Sequence, residues 1–513
     1  MSIAALFSCL AALTFVVVPL DDRPVTAQLP QLLGSVAGVD VVEPPRAMLG
    51  RYLQAGDPDA ILHWLRSDAP GGDEYVVSSD MIAYGGLVAS RIPGVDRGQA
   101  FGRLDALAAV RAAHPRAPFA LFGTVMRLAP TGVPDLGGAA SFPFAGDVWP
   151  KLQTYANLPD PPQTQQQREY AARLRTQLGS NLDAYLATRA RNRDVDLYAL
   201  RLLAEGGFDR VVIGQDDAGP VGLHLRDLSA LRAFAARYVA PGRASIEPGA
   251  DELGMALVSA ALARQARIVP HVRVVYSRAG GGGVNDPLEF APISTTIADL
   301  IRSSGAVQSD AFPDVDLFVK VAGTSPADEK RFVDAIAADE RGGPLPAVAD
   351  LTFLAENDYA QQRALTDDLI AAGLAAHVAS FASWNTTANT IGTALPEAIA
   401  VLAGRHLGTY DARAHATFTY MRYVDDIIFH TSVRPQINAD LTRAGVEDHT
   451  YLLPQTAQLT SSQNRALLWP AALDLLAKID AQYRDAGLTI TLPWNRTFET
   501  QLDVRLSPAG TAR

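Results

Sequence analysis

At 513 residues the chain is too long for one ordinary hydrophobic core, and length alone sets an expectation of about two or three domains. Hydrophobic residues make up 48% and charged residues 19%, the mix of a well-buried soluble protein, and a formal net charge of −11 argues against nucleic acid and gives no support for an anionic membrane as partner. The single cysteine, Cys9, excludes intramolecular disulfides and thiolate metal clusters, and nine histidines without HxH or HExxH spacing offer no dedicated zinc site.

Residues 1–13 are apolar but lack a basic leader. A truncated export signal, a mis-assigned start and an extension of the first strand all stay open, so localisation is left between cytoplasmic and exported. No later stretch is long enough to span a bilayer. Thr14–Pro24, TFVVVPLDDRP, is an apolar β-type run ending on two acids and an arginine, the pattern of a strand buried on both faces of a parallel sheet. A helix over Val25–Gly34 and a short strand Val39–Glu43 follow. A helix near Asp57–Arg66 leads into the strand Glu74–Asp80, and Gly85-Gly86 then interrupt Met81–Arg91. Arg97–Ala113 has helical spacing, and Phe119–Arg127 is a strand ending on a base. Leu128–Pro162 reads as one long loop, and Gln165–Glu205 as mostly helical, with Arg189, Arg191, Asn192 and Arg193 on a turn-rich segment.

Arg210–Asp217 and Ala244–Glu252 are two more strands that end on paired acids. From about Arg267 the rhythm restarts, with strand-like runs at Val272–Ser277, Asp316–Ala322, Leu345–Phe353 and Ala376–Trp384. Strands alternating with helices specify parallel sheets. The expected fold is therefore α/β: an N-terminal parallel-sheet unit over 14–265, either TIM-barrel-like or doubly wound, a second smaller α/β unit over 266–405, and a mainly helical region over 406–513.

Chemistry in parallel sheets gathers where the strands' carboxyl ends open onto a crevice. Asp216 and Asp217 are the sharpest candidates. Two nearby carboxyls cannot both ionise cheaply, which creates an acid beside a base, although either could simply cap the next helix. Adjacent residues leaving a strand point to opposite sides, so only one of the two is expected to face the crevice directly. Asp22 joins them as a catalytic candidate, with Asp21 and Arg23 as substrate-binding neighbours or as a staple of the strand end. Asp251 and Glu252 precede an apolar helix, so catalysis competes there with favourable charge in a first helical turn. Asp80 and Tyr84 are placed as a wall of the crevice. Arg127 either holds a carboxylate or binds an anionic group. Trp384, Asn385 and Asn389 offer an aromatic face and amides to a sugar, against a reading in which Trp384 is core and Thr386 or Thr387 caps a helix. Tyr420–Phe429 contains a YxDD sequence like that of reverse transcriptases, but Phe418, Met421, Val424 and Ile428 fall at helical spacing. Asp425 and Asp426 are expected to face solvent or to pair with Arg422.

PLDDRPV, SSDMIAYGGLVASR, GQDDAGPVG, EPGADELG and SWNTTANTIGTAL, in this order, resemble the bacterial proteins catalogued as domain of unknown function 4127. The resemblance implies that Asp21, Asp22, Arg23, Asp80, Asp216, Asp217, Asp251, Glu252 and Asn385 sit in family motifs, and it carries no activity. The functional expectation is a hydrolase of a small polar molecule or carbohydrate, most of all a glycoside-hydrolase-like enzyme that works by paired carboxylates without a cofactor. The alternatives are a Mg²⁺- or Mn²⁺-dependent hydrolase with Asp21, Asp80, Asp216 and Asp251 as ligands, and a non-enzymatic two-lobe protein that binds a sugar or small polar ligand.

Overall fold

A computed structural model of the chain describes residues 13–133, 142–354 and 359–510. Six strands form one all-parallel sheet: β1 (Thr14–Val18), β2 (Asp40–Val42), β3 (Glu74–Ser78), β4 (Phe119–Val125), β5 (Arg210–Gln215) and β6 (Ala244–Pro248), in the spatial order β2-β1-β3-β4-β5-β6. The sheet is open and doubly wound, not a barrel. Its first strand shows why TFVVV carries no polar alternation. Phe15 and Val17 enter one core with Leu29, Leu33 and Leu262, while Val16 and Val18 enter the opposite core with Ile61, Trp64 and Leu104. Both faces of such a strand are covered by helices, so both sets of alternating side chains must be apolar.

The second sheet contains β7 (His271–Tyr276), β8 (Val307–Gln308), β9 (Val315–Lys320), β10 (Leu345–Asp350) and β11 (Ser380–Ala382), ordered β8-β7-β9-β10-β11 and again parallel throughout. Counted within each unit, both sheets run 2-1-3-4-5, and β6 extends the first. Strand order reverses beside β1 and beside β7, the kind of place where open α/β sheets leave a crevice at their carboxyl edge. The helix Thr387–Leu407 binds the two sheets together. Ile391, Leu395 and Ala398 pack in the core of the second sheet, while Ala400, Val401 and Ala403 pack in that of the first. A helix apolar on every side is a buried helix, and this one is buried along nearly its whole length.

Several sequence expectations need correction. The stretch expected as one loop, Leu128–Pro162, contains the helix Val148–Ala156, and its residues 134–141 lie outside the described residues. Arg189–Arg193 sit in the middle of the 25-residue helix Ser180–Ala204, not on a turn. The region after 406 is mainly helical, but it closes with an antiparallel hairpin, β12 (Tyr483–Thr491) and β13 (Gln501–Pro508). Leu488, Ile490, Leu502 and Leu506 point from the hairpin into the core, the period-2 burial of a one-faced sheet. The YxDD segment forms a wide, π-type helix over Tyr423–Val433. Of the two arrangements expected for Asp425 and Asp426, pairing with Arg422 is the one found, at 2.6 and 3.5 Å, and both acids are buried instead of facing solvent.

Candidate functional site

Strand ends from the first sheet deliver Arg23, Arg127, Asp216, Asp217 and Asp251 to the wall of one cleft of about 580 Å³. The opposite wall carries Glu289, Asn385, Thr386 and Asn389, and the connection between β12 and β13 adds Trp494, Arg496 and Phe498. Carboxylates and arginines are interleaved across it. Arg23 donates from both Nη atoms to Asp251, at 2.8 and 2.5 Å, and from Nε and Nη2 to Asp21, at 3.0 and 2.7 Å. The guanidinium lies 4.9 Å from the Trp494 ring centre, so one buried cation orders two acids and an indole. Arg91 donates to Asp216 at 2.5 Å, and Arg127 to Asp217 at 3.2 Å.

Asp217 differs from the other acids. Its side chain is 33% exposed, whereas those of Asp216 and Asp251 are 6% and 10% exposed. Its φ of 23° places a non-glycine residue in sparsely populated backbone space, as at many functional sites. β5 has already ended at Gln215, so strand alternation no longer applies and both aspartates line the cleft, not one as expected. Burial, then the neighbouring Asp216 charge, push the Asp217 carboxyl above its ordinary range, against the pull of Arg127. Burial likewise raises Asp251, with Arg23 opposing it. Glu289 is raised to about 8 by burial and by Asp286.

The helix Thr387–Leu407 begins at the cleft. Thr386 caps it, accepting from the Asn389 amide at 3.2 Å, and the Asp286 and Glu289 carboxylates accept from the N–H groups of Thr387 and Ala388 at 2.7 and 2.6 Å. An ionised Asp286 complements the positive end of the helix, while Glu289, held protonated near neutral pH, serves the Ala388 N–H as a neutral acceptor. Asn385, at φ 58°, donates to Asn389 Oδ1 at 2.6 Å.

Other sequence candidates sit behind this wall. Asp21 is held under Arg23 and by Thr26. Asp22 accepts from Trp494 Nε1 at 2.6 Å and from Arg46 at 3.3 Å, and faces a separate hollow. Asp80 and Tyr84 do not line the cleft. Asp80 accepts from Thr124 and is raised by burial to about 7, while Tyr84 lies under Arg191, its ring centre 4.4 Å from the guanidinium. Glu252 is buried, accepts from Asn389 Nδ2 at 2.7 Å, and is raised by burial. Trp384 is in the core and donates to Thr393 at 3.1 Å. The four acids considered as metal ligands are thus parcelled out among Arg23, Arg91 and Thr124. Among the described residues no group of three or more His, Cys, Asp or Glu side chains could hold a metal ion.

Sequence reasoning missed Arg91, Trp149, Glu289, Asp448 and Arg496 as cleft residues. Arg91 ends the motif SSDMIAYGGLVASR and could have been found there. Nothing local marks Glu289 or Arg496, which arrive from loops of other units.

The class of protein these features define is an α/β protein with two parallel sheets and an arginine–carboxylate cleft at strand carboxyl ends, carrying a mainly helical C-terminal region. The chain belongs to the family described as "Protein of unknown function (DUF4127)", which matches residues 15–503. No curated protein matches it, and no solved structure matches it. Among the described residues no helix is long and apolar enough to cross a membrane.

Proposed function

We propose that the protein is a hydrolase of a glycoside or a similarly polar small molecule, with Asp217 as the residue that transfers the proton. The observation that carries this reading is the pairing at the end of β5. Asp217 reaches the open cleft with its carboxyl raised, beside an Asp216 that Arg91 holds fixed. Two adjacent carboxyls with different surroundings are the usual means of separating an acid from a charge stabiliser. In the reaction Asp217 protonates the leaving oxygen as its bond to the anomeric carbon breaks. Asp216 lies beside the positive charge that develops on the sugar ring. The Asp217 carboxylate then takes a proton from the incoming water, whose oxygen forms the new bond to carbon, and the starting state is restored. The half-buried Trp149 ring offers a face for a sugar to stack on, and Asn385 supplies an amide to the same cleft.

A screen of chromogenic aryl glycosides tests this reading, with and without a chelator. Release of the aryl group by the wild-type chain, unaffected by chelation, supports it. Turnover that chelation abolishes would favour carboxylate-held Mg²⁺ or Mn²⁺ instead. The cleft is lined from both α/β units, by Asp216 and Asp251 of the first and Glu289, Asn385 and Asn389 of the second, which favours a two-lobe sugar-binding protein as second reading. That reading predicts saturable sugar binding with no product from any glycoside.

A further inference from the structure

On the far side of the Pro493–Asn495 segment lies a second hollow, about 640 Å³, with a different chemical character. Arg46, Arg51 and Arg465 line it, together with Ser461, Ser462 and Gln458, and among the described residues no aspartate or glutamate lines it. That is a local reversal of sign in a chain of net charge −11. Two of the three guanidiniums are available. Arg51 donates to the Pro493 carbonyl at 3.2 Å and Arg465 lies 5.2 Å from the Trp469 ring centre, while among the described residues neither has a carboxylate partner, and both are exposed. Arg46 is already committed, to Asp22 and to Gln501.

Ser462 Oγ donates to the Gln458 carbonyl at 3.0 Å, while Ser461 Oγ accepts from the Leu492 N–H at 3.3 Å and keeps its own proton to donate. The Arg51 and Arg465 guanidiniums and the Ser461 hydroxyl therefore line one hollow with donors of the kind a tetrahedral oxyanion requires. We propose that this hollow is a binding site for a phosphate-type oxyanion, either free or as the phosphoryl group of a sugar ester. The site stands apart from Asp217 and does not depend on the hydrolase reading. It does have a link to the cleft. Trp494 lines both hollows, and its Nε1 donates to the same Asp22 carboxyl that receives Arg46. An oxyanion drawn onto Arg46 competes with Asp22, so occupancy is felt at the Trp494 indole.

The experiment titrates the full chain with inorganic phosphate and with glucose 6-phosphate, following tryptophan emission against sodium chloride at matched ionic strength. Saturable change with either phosphate, absent with chloride, is the expected result. Tighter binding of the ester identifies a sugar phosphate as the occupant, and equal binding identifies the free ion. Arg51→Gln with Arg465→Gln, both at exposed positions, should weaken binding by about tenfold or more and leave far-UV circular dichroism unchanged. Trp494→Phe should remove most of the optical signal while calorimetry still detects binding. A phosphate response no larger than that of chloride, or an affinity unchanged in the folded double variant, overturns the proposal. Neither result bears on turnover at Asp217.

Discussion

Arg23 makes the most demanding structural prediction. Arg23 is 5% exposed, and its guanidinium joins Asp21 and Asp251, two acids far apart in sequence, at the wall of the cleft. Arg23→Met keeps the length and the apolar contact with Trp494 but leaves both carboxyls buried without their cation. Breaking a buried pair from one side costs about 3–5 kcal/mol, because the surviving charge is left desolvated. With an unfolding entropy of about 2.1 cal/mol/K per residue, a chain of this size would lose roughly 3–5 °C in Tm if it unfolds in one transition. The pH dependence gives the sharper test. Burial already raises Asp251, and Arg23 is what opposes it. Without the arginine the folded-state pKa rises further above the unfolded value, so folding takes up a proton. The stability that this uptake provides is present at low pH and lost as pH rises through the folded pKa. Thermal unfolding at about pH 5 and about pH 8 should therefore show a deficit that shrinks in acid. No deficit, or one independent of pH, would refute the reasoning.

Other expectations follow from the same structure. Glu289 and Glu397 are both raised to about 8 by burial, so near neutral pH they are protonated in the folded state and ionise on unfolding, and stability should fall as pH rises from about 5 to about 8 and level off above that. Glu397→Gln should flatten that fall in a Tm-versus-pH series, and an unchanged slope would count against it. Gly249 has φ 107°, and a Cβ there would meet the Glu252 carboxylate at 1.7 Å, so Gly249→Ala should destabilise by more than about 1 kcal/mol in urea unfolding. Leu395 is fully buried on the helix shared by both sheets, and Leu395→Ala should cost about 2–5 kcal/mol by the same assay.

The fold was legible where local pattern and tertiary context agree. TFVVV, EYVVSSD and RVVIGQDD are apolar because both faces of a central parallel strand are covered, and each became a strand at the expected place. Strand β8 is only Val307–Gln308, too short for any periodicity, and could not be read. The hairpin was hidden differently. LTIT alternates over just a few residues, and its partner QLDVRLSP is separated from it by a loop whose Trp494 and Phe498 look like more of the same apolar run. The site divided along similar lines. Motif acids at strand ends were visible, and Asp216, Asp217 and Asp251 do share a cleft. Which acid stays open to solvent depends on which arginine reaches it, and Arg91 and Arg127 arrive from other elements. Asp22 and Asp80 have the same sequence grammar as Asp217, yet Trp494 covers one and Thr124 holds the other.

The proposal that the Asp216–Asp217 pair performs proton transfer is tested most directly by the kcat of Asp217→Asn on whichever aryl glycoside the wild type cleaves. Asparagine preserves shape and can still accept from Arg127, so folding and KM should change little. Removal of a proton-transferring group should lower kcat by about 10²–10⁴-fold and abolish the pH-rate limb that belongs to it. A variant that folds normally and keeps wild-type turnover across the pH range would contradict the assignment.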